Sequence, residues 1–213
     1  MKTFFLLLFL LSPLFAFCDE GWIYVNRDEK VNHFQLNNKG KLHYNDQMID
    51  GFSMQQKASR LAISPFSPDG KFAVVFSFGD QESQCALLQM EKHSAANLSL
   101  GGTPVVWNSW SAAGPYLLLS SYTDQDNSLY SVSLGTVQAR KIPIQLQKSG
   151  EKEELDTTTV SWTSPNTFEI SAFIHCASCD SRQEEKVIRS YKLTVNAESL
   201  EVKSEEQPLP PED

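Results

Sequence analysis

The segment His175-Cys176-Ala177-Ser178-Cys179-Asp180 is the one local cluster in this 213-residue chain whose residue types could do chemistry. Two thiols three positions apart can close a small disulfide, act as a redox pair or ligate a metal. In an oxidising compartment the disulfide is the default. Cys176 and Cys179 are therefore expected to pair and to pin the loop between two strands. A thioredoxin-like role needs the first thiol at a helix start, where its pKa falls, but this pair follows a strand pattern. Zinc or copper held by His175, Cys176 and Cys179 would lack the usual fourth ligand, since no second Cys-x-x-Cys or His pair accompanies them. Covalent haem needs a His directly after the second cysteine, and Asp180 stands there.

The remaining candidates have structural readings. Cys85 lies in an apolar run and is expected to be a small buried hydrophobe. His33, His43 and His93 have no regular spacing and are expected at the surface. No Gly-x-Ser-x-Gly elbow and no Gly-rich phosphate loop occurs. Asp124-Gln125-Asp126-Asn127-Ser128 lacks the glycine and closing glutamate of a calcium loop and is expected to be a solvated turn. Asn97-Leu98-Ser99 is a glycosylation acceptor only in a eukaryotic source. Trp107, Trp110 and Trp162 are expected to be packing residues, Trp107 and Trp162 wedging between adjacent blades or layers, with an aromatic carbohydrate platform as the functional alternative. No cofactor is implied, and the chain is expected to be no enzyme.

The N-terminus has an address. Lys2 precedes an apolar run over residues 4–11, Ser12-Pro13 breaks it, and Ala16 and Cys18 put small residues where a signal peptidase reads. Residues 1–18 are expected to be a secretory signal peptide, because an apolar run this short cannot span a bilayer core that needs roughly 20 residues. The chain is thus expected to be exported, periplasmic or extracellular, without stable membrane insertion after signal removal. A formal charge of −8 disfavours nucleic acid, which selects basic patches.

What must position these residues is β-structure. Trp22-Ile23-Tyr24-Val25, residues 31–36 and residues 42–44 read as a three-stranded meander, with Asn37-Asn38-Lys39-Gly40 as a hairpin turn. Residues 60–64 then lead to Ser67-Pro68-Asp69-Gly70, where Pro68 presets φ, Asp69 bonds nearby backbone and Gly70 takes positive φ. The apolar run over residues 72–78 follows, and such a strand is usually covered on both faces. Weaker copies recur: Val105-Val106-Trp107, Ser111-Ala112-Ala113-Gly114 and residues 116–121, then Thr158-Thr159-Val160-Ser161-Trp162, Ser164-Pro165-Asn166 and residues 167–174. A charged linker, residues 151–154, is expected between the last two copies, and an insertion, residues 175–186, inside the last. Residues 205–213, acidic and proline-rich, are expected to be a disordered tail.

Repeats of about 40 to 45 residues built from four short strands have the period of a propeller blade. Ser67-Pro68-Asp69-Gly70-Lys71-Phe72-Ala73, with Leu129-Tyr130-Ser131-Val132 in the next copy, resembles WD40-like repeats of the TolB-type β-propeller. Ser111-Ala112-Ala113-Gly114 departs from that pattern in lacking the Pro and Asp. The resemblance covers roughly residues 59–204 and implies an all-β, β-propeller-like fold; with the N-terminal meander the domain is expected over residues 19–204, as three to four antiparallel blade-like units. A β-sandwich is the alternative. The function expected is a non-enzymatic module binding a protein or cell-envelope partner through loops such as residues 124–128 or 175–186. The alternative is an envelope redox or metal-handling protein using His175, Cys176 and Cys179. On either reading the Ser67 turn is scaffold rather than site.

Overall fold

The computed structural model describes residues 21–54, 58–78, 83–112, 114–123, 126–149, 151–176 and 187–209. The expected signal peptide and residues 177–186, including Cys179, lie outside them. Among the described residues the chain forms strands and no helix, in four antiparallel sheets.

The first sheet is β2 (Glu29–Val31), β3 (Phe34–Leu36), β4 (Leu42–Tyr44) and β5 (Gln47–Met48) in that order. The second runs β1-β6-β7-β8-β9, from β1 (Ile23–Asn26), β6 (Arg60–Ile63), β7 (Phe72–Phe78), β8 (Gln84–Gln89) and β9 (Ser94–Asn97). The third contains β10 (Thr103–Trp110), β11 (Tyr116–Thr123), β12 (Asp126–Ser133) and β13 (Gln138–Lys141). The fourth contains β14 (Glu151–Ser164), β15 (Thr167–Cys176), β16 (Val187–Asn196) and β17 (Val202–Gln207). Apart from β1, neighbours in each sheet are neighbours in sequence, as short polar turns between apolar runs demand.

Three cores separate these four sheets. The first sheet buries Phe34, Leu36 and Leu42 against Leu61, Ile63, Val75 and Leu88 on one face of the second. The opposite face of the second, with Val74, Phe76, Cys85 and Leu87, packs on Leu117, Leu119 and Val132 of the third. Tyr116, Leu118 and Leu129 of the third pack on Phe168, Ile170, Ala172 and Leu193 of the fourth. β7 shows why the expected apolar run has no polar phase: Ala73 and Val75 enter one core, Val74 and Phe76 the next, and period-2 alternation serves both.

Six expectations need correction. The strand at Trp22 does not join the meander: β1 adds to the second sheet, pairing Ile23 with Ile63 and Val25 with Leu61. There it buries Val25 fully, whereas the first sheet is completed by β5. The expected strand over residues 31–36 is instead a hairpin, turned at Asn32 with φ of 53°. The charged linker is the first part of β14: Glu151 pairs with Cys176 and Glu154 with Phe173, while Glu153 and Leu155 point inward and are buried. The charges obscured a strict alternation. Residues 205–207, expected in the tail, are strand residues, because Glu205, Glu206 and Gln207 pair with Lys192, Tyr191 and Ser190, while residues 210–213 lie outside the described residues. An edge strand needs a partner on one side only and tolerates charge on its exposed face. In the same way Asp126 and Ser128, expected in a loop, are strand residues paired with Thr123 and Ser121, and His175 and Cys176 end β15 rather than opening an insertion.

Candidate functional site

Two places merit attention, and they lie at opposite ends of the sheets. One is the turn end, where the copied Ser turns of successive sheets converge. In the Ser67 turn Gly70 adopts φ of 72°, and the Gly70 N–H donates to the Ser67 carbonyl at 2.8 Å. The Ser67 hydroxyl donates to Asp69 Oδ1 at 2.6 Å and accepts from the Phe72 N–H at 3.0 Å. Asp69 Oδ1 also accepts from the Lys71 N–H at 3.2 Å. The Ser67 hydrogen bond, backed by that of Lys71, holds the Asp69 carboxyl below its ordinary range. The second copy keeps the backbone bond across five residues, Ser67 N–H to Phe72 and Ser111 N–H to Tyr116. With no Asp in its turn, Ser111 turns its hydroxyl outward to the Pro165 carbonyl of the next sheet at 2.7 Å.

Those turns frame a cleft of about 480 Å³, lined among others by Pro68, Phe72, Trp110, Pro115, Leu134 and Gly135. Phe72, Trp110 and Leu134 are half-buried, while Pro68 and Pro115 are exposed. The Trp110 indole is fixed by donating to the Pro65 carbonyl at 3.2 Å. Asp69 is the one acidic or basic side chain among the described residues that line it. A smaller cavity, about 210 Å³, continues over Phe72, Leu134 and Gly135 to Lys71, Glu91 and Lys92. The stretch expected to be scaffold alone therefore also forms a concave, mostly apolar surface. Turn chemistry in the sequence concealed this, because the cleft exists only where turns from two sheets meet.

The other end carries His175 and Cys176. His175 is 8% exposed, and its Nε2 lies 2.9 Å from Glu154 Oε2. Cys176 faces Glu151 across the ladder, and Glu151 is paired with Arg189, which donates to the Tyr191 hydroxyl at 2.9 Å. The Glu151 carboxyl lies below its ordinary range because it accepts from the Lys148 N–H and faces Arg189. Cys176 is not a free thiol. Its expected partner, Cys179, lies outside the described residues. Among the described residues no three of His, Cys, Asp and Glu gather as a metal site would need.

The other candidates are placed as follows. Cys85 is buried and free, and burial pushes its thiol pKa far up, so it packs as a hydrophobe. His33 and His93 flank Tyr44 with ring centroids 6.0 and 6.4 Å away, and His43 stands across from Gln35 and Met48. Trp162 lies against Phe168, with centroids 5.3 Å apart, and its indole donates to Ser109 of the third sheet at 3.0 Å. With Trp107 it packs between the third and fourth sheets.

No protein-family model matches the chain, and no curated protein does. Similar solved structures include TolB from Acinetobacter baumannii, 13% identical over 86% of this chain and 52% of that one, with a TM-score of 0.37. Hydrazine synthase from Kuenenia stuttgartiensis is 13% identical over 83% and 50%, with a TM-score of 0.47. Dipeptidyl peptidase 4 from Porphyromonas gingivalis is 10% identical over 88% and 33%, with a TM-score of 0.48. The chain spans between 33% and 52% of these proteins' lengths. The TolB-type likeness carried by the turn residues is present among them, and at such scores nothing about activity follows from it. Among the described residues no helix is long and apolar enough to cross a membrane.

Proposed function

We propose that the chain is an exported, non-enzymatic, propeller-like module whose loops bind a protein or cell-envelope partner. The observation that carries this reading is the cleft between the Ser67 and Ser111 turns. It is concave and lined by Phe72, Trp110 and Leu134, and its one carboxylate is committed to Ser67 and Lys71. Such a surface offers area and shape to a ligand, while a catalytic set needs several titratable groups in reach of one another. The propeller-like reading is supported by four meandering sheets packed in series with a core at each junction, where a sandwich has two sheets about one core.

The test is a photo-reactive residue at Pro115, on the cleft rim, in the exported protein of intact cells. A discrete adduct with one protein, either an envelope protein or another copy of this chain, is expected from Pro115, and none from a control at Lys39, an exposed residue of the hairpin turn before β4. Equal, diffuse labelling from both positions would refute the reading.

The redox or metal alternative rests on His175 beside Glu154 and on the engaged Cys176. We assign Cys176 to a structural bond with Cys179. Intact-mass measurement with and without reductant and chelator separates the two: a two-hydrogen mass change on reduction without bound metal supports the structural bond. Stoichiometric metal, or rapid exchange with glutathione, supports the alternative.

A further inference from the structure

We infer that the cleft receives the Pro208-Leu209-Pro210-Pro211-Glu212-Asp213 segment of a second copy of this chain, so that molecules associate head to tail. This deepens the binding reading by naming an occupant.

The cleft suits such a segment. Proline-rich stretches are pre-extended and lose little entropy when laid on aromatic grooves. Trp110 and Phe72 supply the aromatic surface here, with Pro68, Pro115 and Leu134 around them. The adjoining cavity then leads to Lys71, Lys92 and Glu91. Lys71 is only loosely paired, 3.7 Å from Glu91 with both side chains at least half exposed. Two lysines against one glutamate make this end locally positive in a chain of net charge −8. The segment has the matching order: prolines and Leu209 first, then Glu212 and Asp213. Pro208 is exposed, and Leu209, 46% exposed, is among the few large apolar side chains left in solvent.

Reach makes the contact intermolecular. Gln207 pairs with Ser190, and Ser190 with Phe173, six residues along β15 from Thr167 at the turn end. The segment therefore starts about 20 Å back from the turns at roughly 3.3 Å per residue, and at least one sheet spacing of about 10 Å to the side. Fully extended it spans about 20 Å, so its own cleft is out of range for all of it. A patch and a segment on different parts of the molecule make a heterologous contact, which adds copies in a row.

Sedimentation velocity on the mature chain, from micromolar to hundreds of micromolar, tests this. The average mass of the full chain is expected to climb with concentration, while a chain ending at Gln207 stays monomeric. A synthetic peptide of residues 207–213 should bind the shortened chain with a change in tryptophan fluorescence. Lys71→Glu with Lys92→Glu, both exposed rim positions, should weaken the peptide by about tenfold, or about 1.4 kcal/mol. Glu212→Lys with Asp213→Lys in the peptide should restore it. Identical sedimentation of full and shortened chains, or a peptide indifferent to the rim charges, overturns the inference. If the Pro115 adduct with an envelope protein still forms, the binding role survives that failure; if it too is missing, both fall.

Discussion

Small groups at the turn end hold the third and fourth sheets together. A methyl group at Gly114 would overlap the Pro165 carbonyl oxygen, a backbone atom that cannot swing away. Gly114→Ala must therefore part the two sheets, at a cost of about 1–3 kcal/mol. Gly135→Ala, with open space around its position, should leave the urea midpoint unchanged. Asp69 gives a pH signature. Its folded pKa is depressed, first by Ser67 and then by Lys71, so its contribution is full above the ordinary carboxylate value of about 3.9 and fades as the pH falls below it. The stability gap between wild type and Asp69→Asn should be widest at neutral pH and close toward pH 3 in urea titrations. Exposure of the turn to solvent keeps that gap small. A gap that widens in acid would refute the assignment.

The unit that matters at the next scale is the strand and what covers its edges. β1 leaves its neighbours in sequence because Ile23 and Val25 find Ile63 and Leu61 across a ladder, and Val25 is then sealed in the first core. The edge at β9 is closed by the loop after β5, where the Asp50 N–H donates to His93 and Asp50 accepts from the Ala95 N–H. β17 guards its own edge with charge. Its sequence, Val-Lys-Ser-Glu-Glu-Gln, is mostly exposed, yet its backbone is paired along its whole length. Hydrogen exchange decides between strand and free tail. β17 amides that bond to β16 should exchange far more slowly than free peptide, and Leu209 at nearly the free rate. Uniformly fast exchange from Val202 onward would refute the strand.

Taken whole, the molecule is a series of sheets, each packed only on its neighbours. No core joins the first sheet to the fourth among the described residues. The outer face of the first sheet is the cross-strand row Lys30, Gln35, His43 and Met48. That of the fourth includes Glu169, Lys192 and Glu205, with Glu169 and Lys192 paired at 2.9 Å. Both rows are mostly polar, with Met48 the exposed apolar exception. Energetic independence should follow. Phe34→Ala in the first core and Phe168→Ala in the third, both fully buried positions, should each cost about 3–5 kcal/mol. The double variant should match their sum within about 0.5 kcal/mol, if it remains folded enough to measure; milder Phe→Leu versions serve otherwise. A strong coupling between them would mean the stack moves as one body.

Much of this was legible in the residues. Alternation and turn chemistry are local properties, so the all-β class, the Ser67 turn, the doubly covered β7 and the wedging of Trp107 and Trp162 could be read from the chain alone. Cys85 as packing rather than chemistry was legible for the same reason. Partner choice is different, because pairing energy comes from residues far apart in sequence. That is why β1 went to the second sheet, why charged residues 151–154 and 205–207 became ladder strands, and why Asp126 and Ser128 left their expected loop. His175 shows both sides: its neighbour Cys176 was visible as a candidate, but only the register of β14 on β15 brought Glu154 to it. The cleft is the clearest case. Pro68, Phe72, Trp110 and Leu134 each have an ordinary structural reason to be where they are, and only the packing of one sheet's turns against the next makes them a surface.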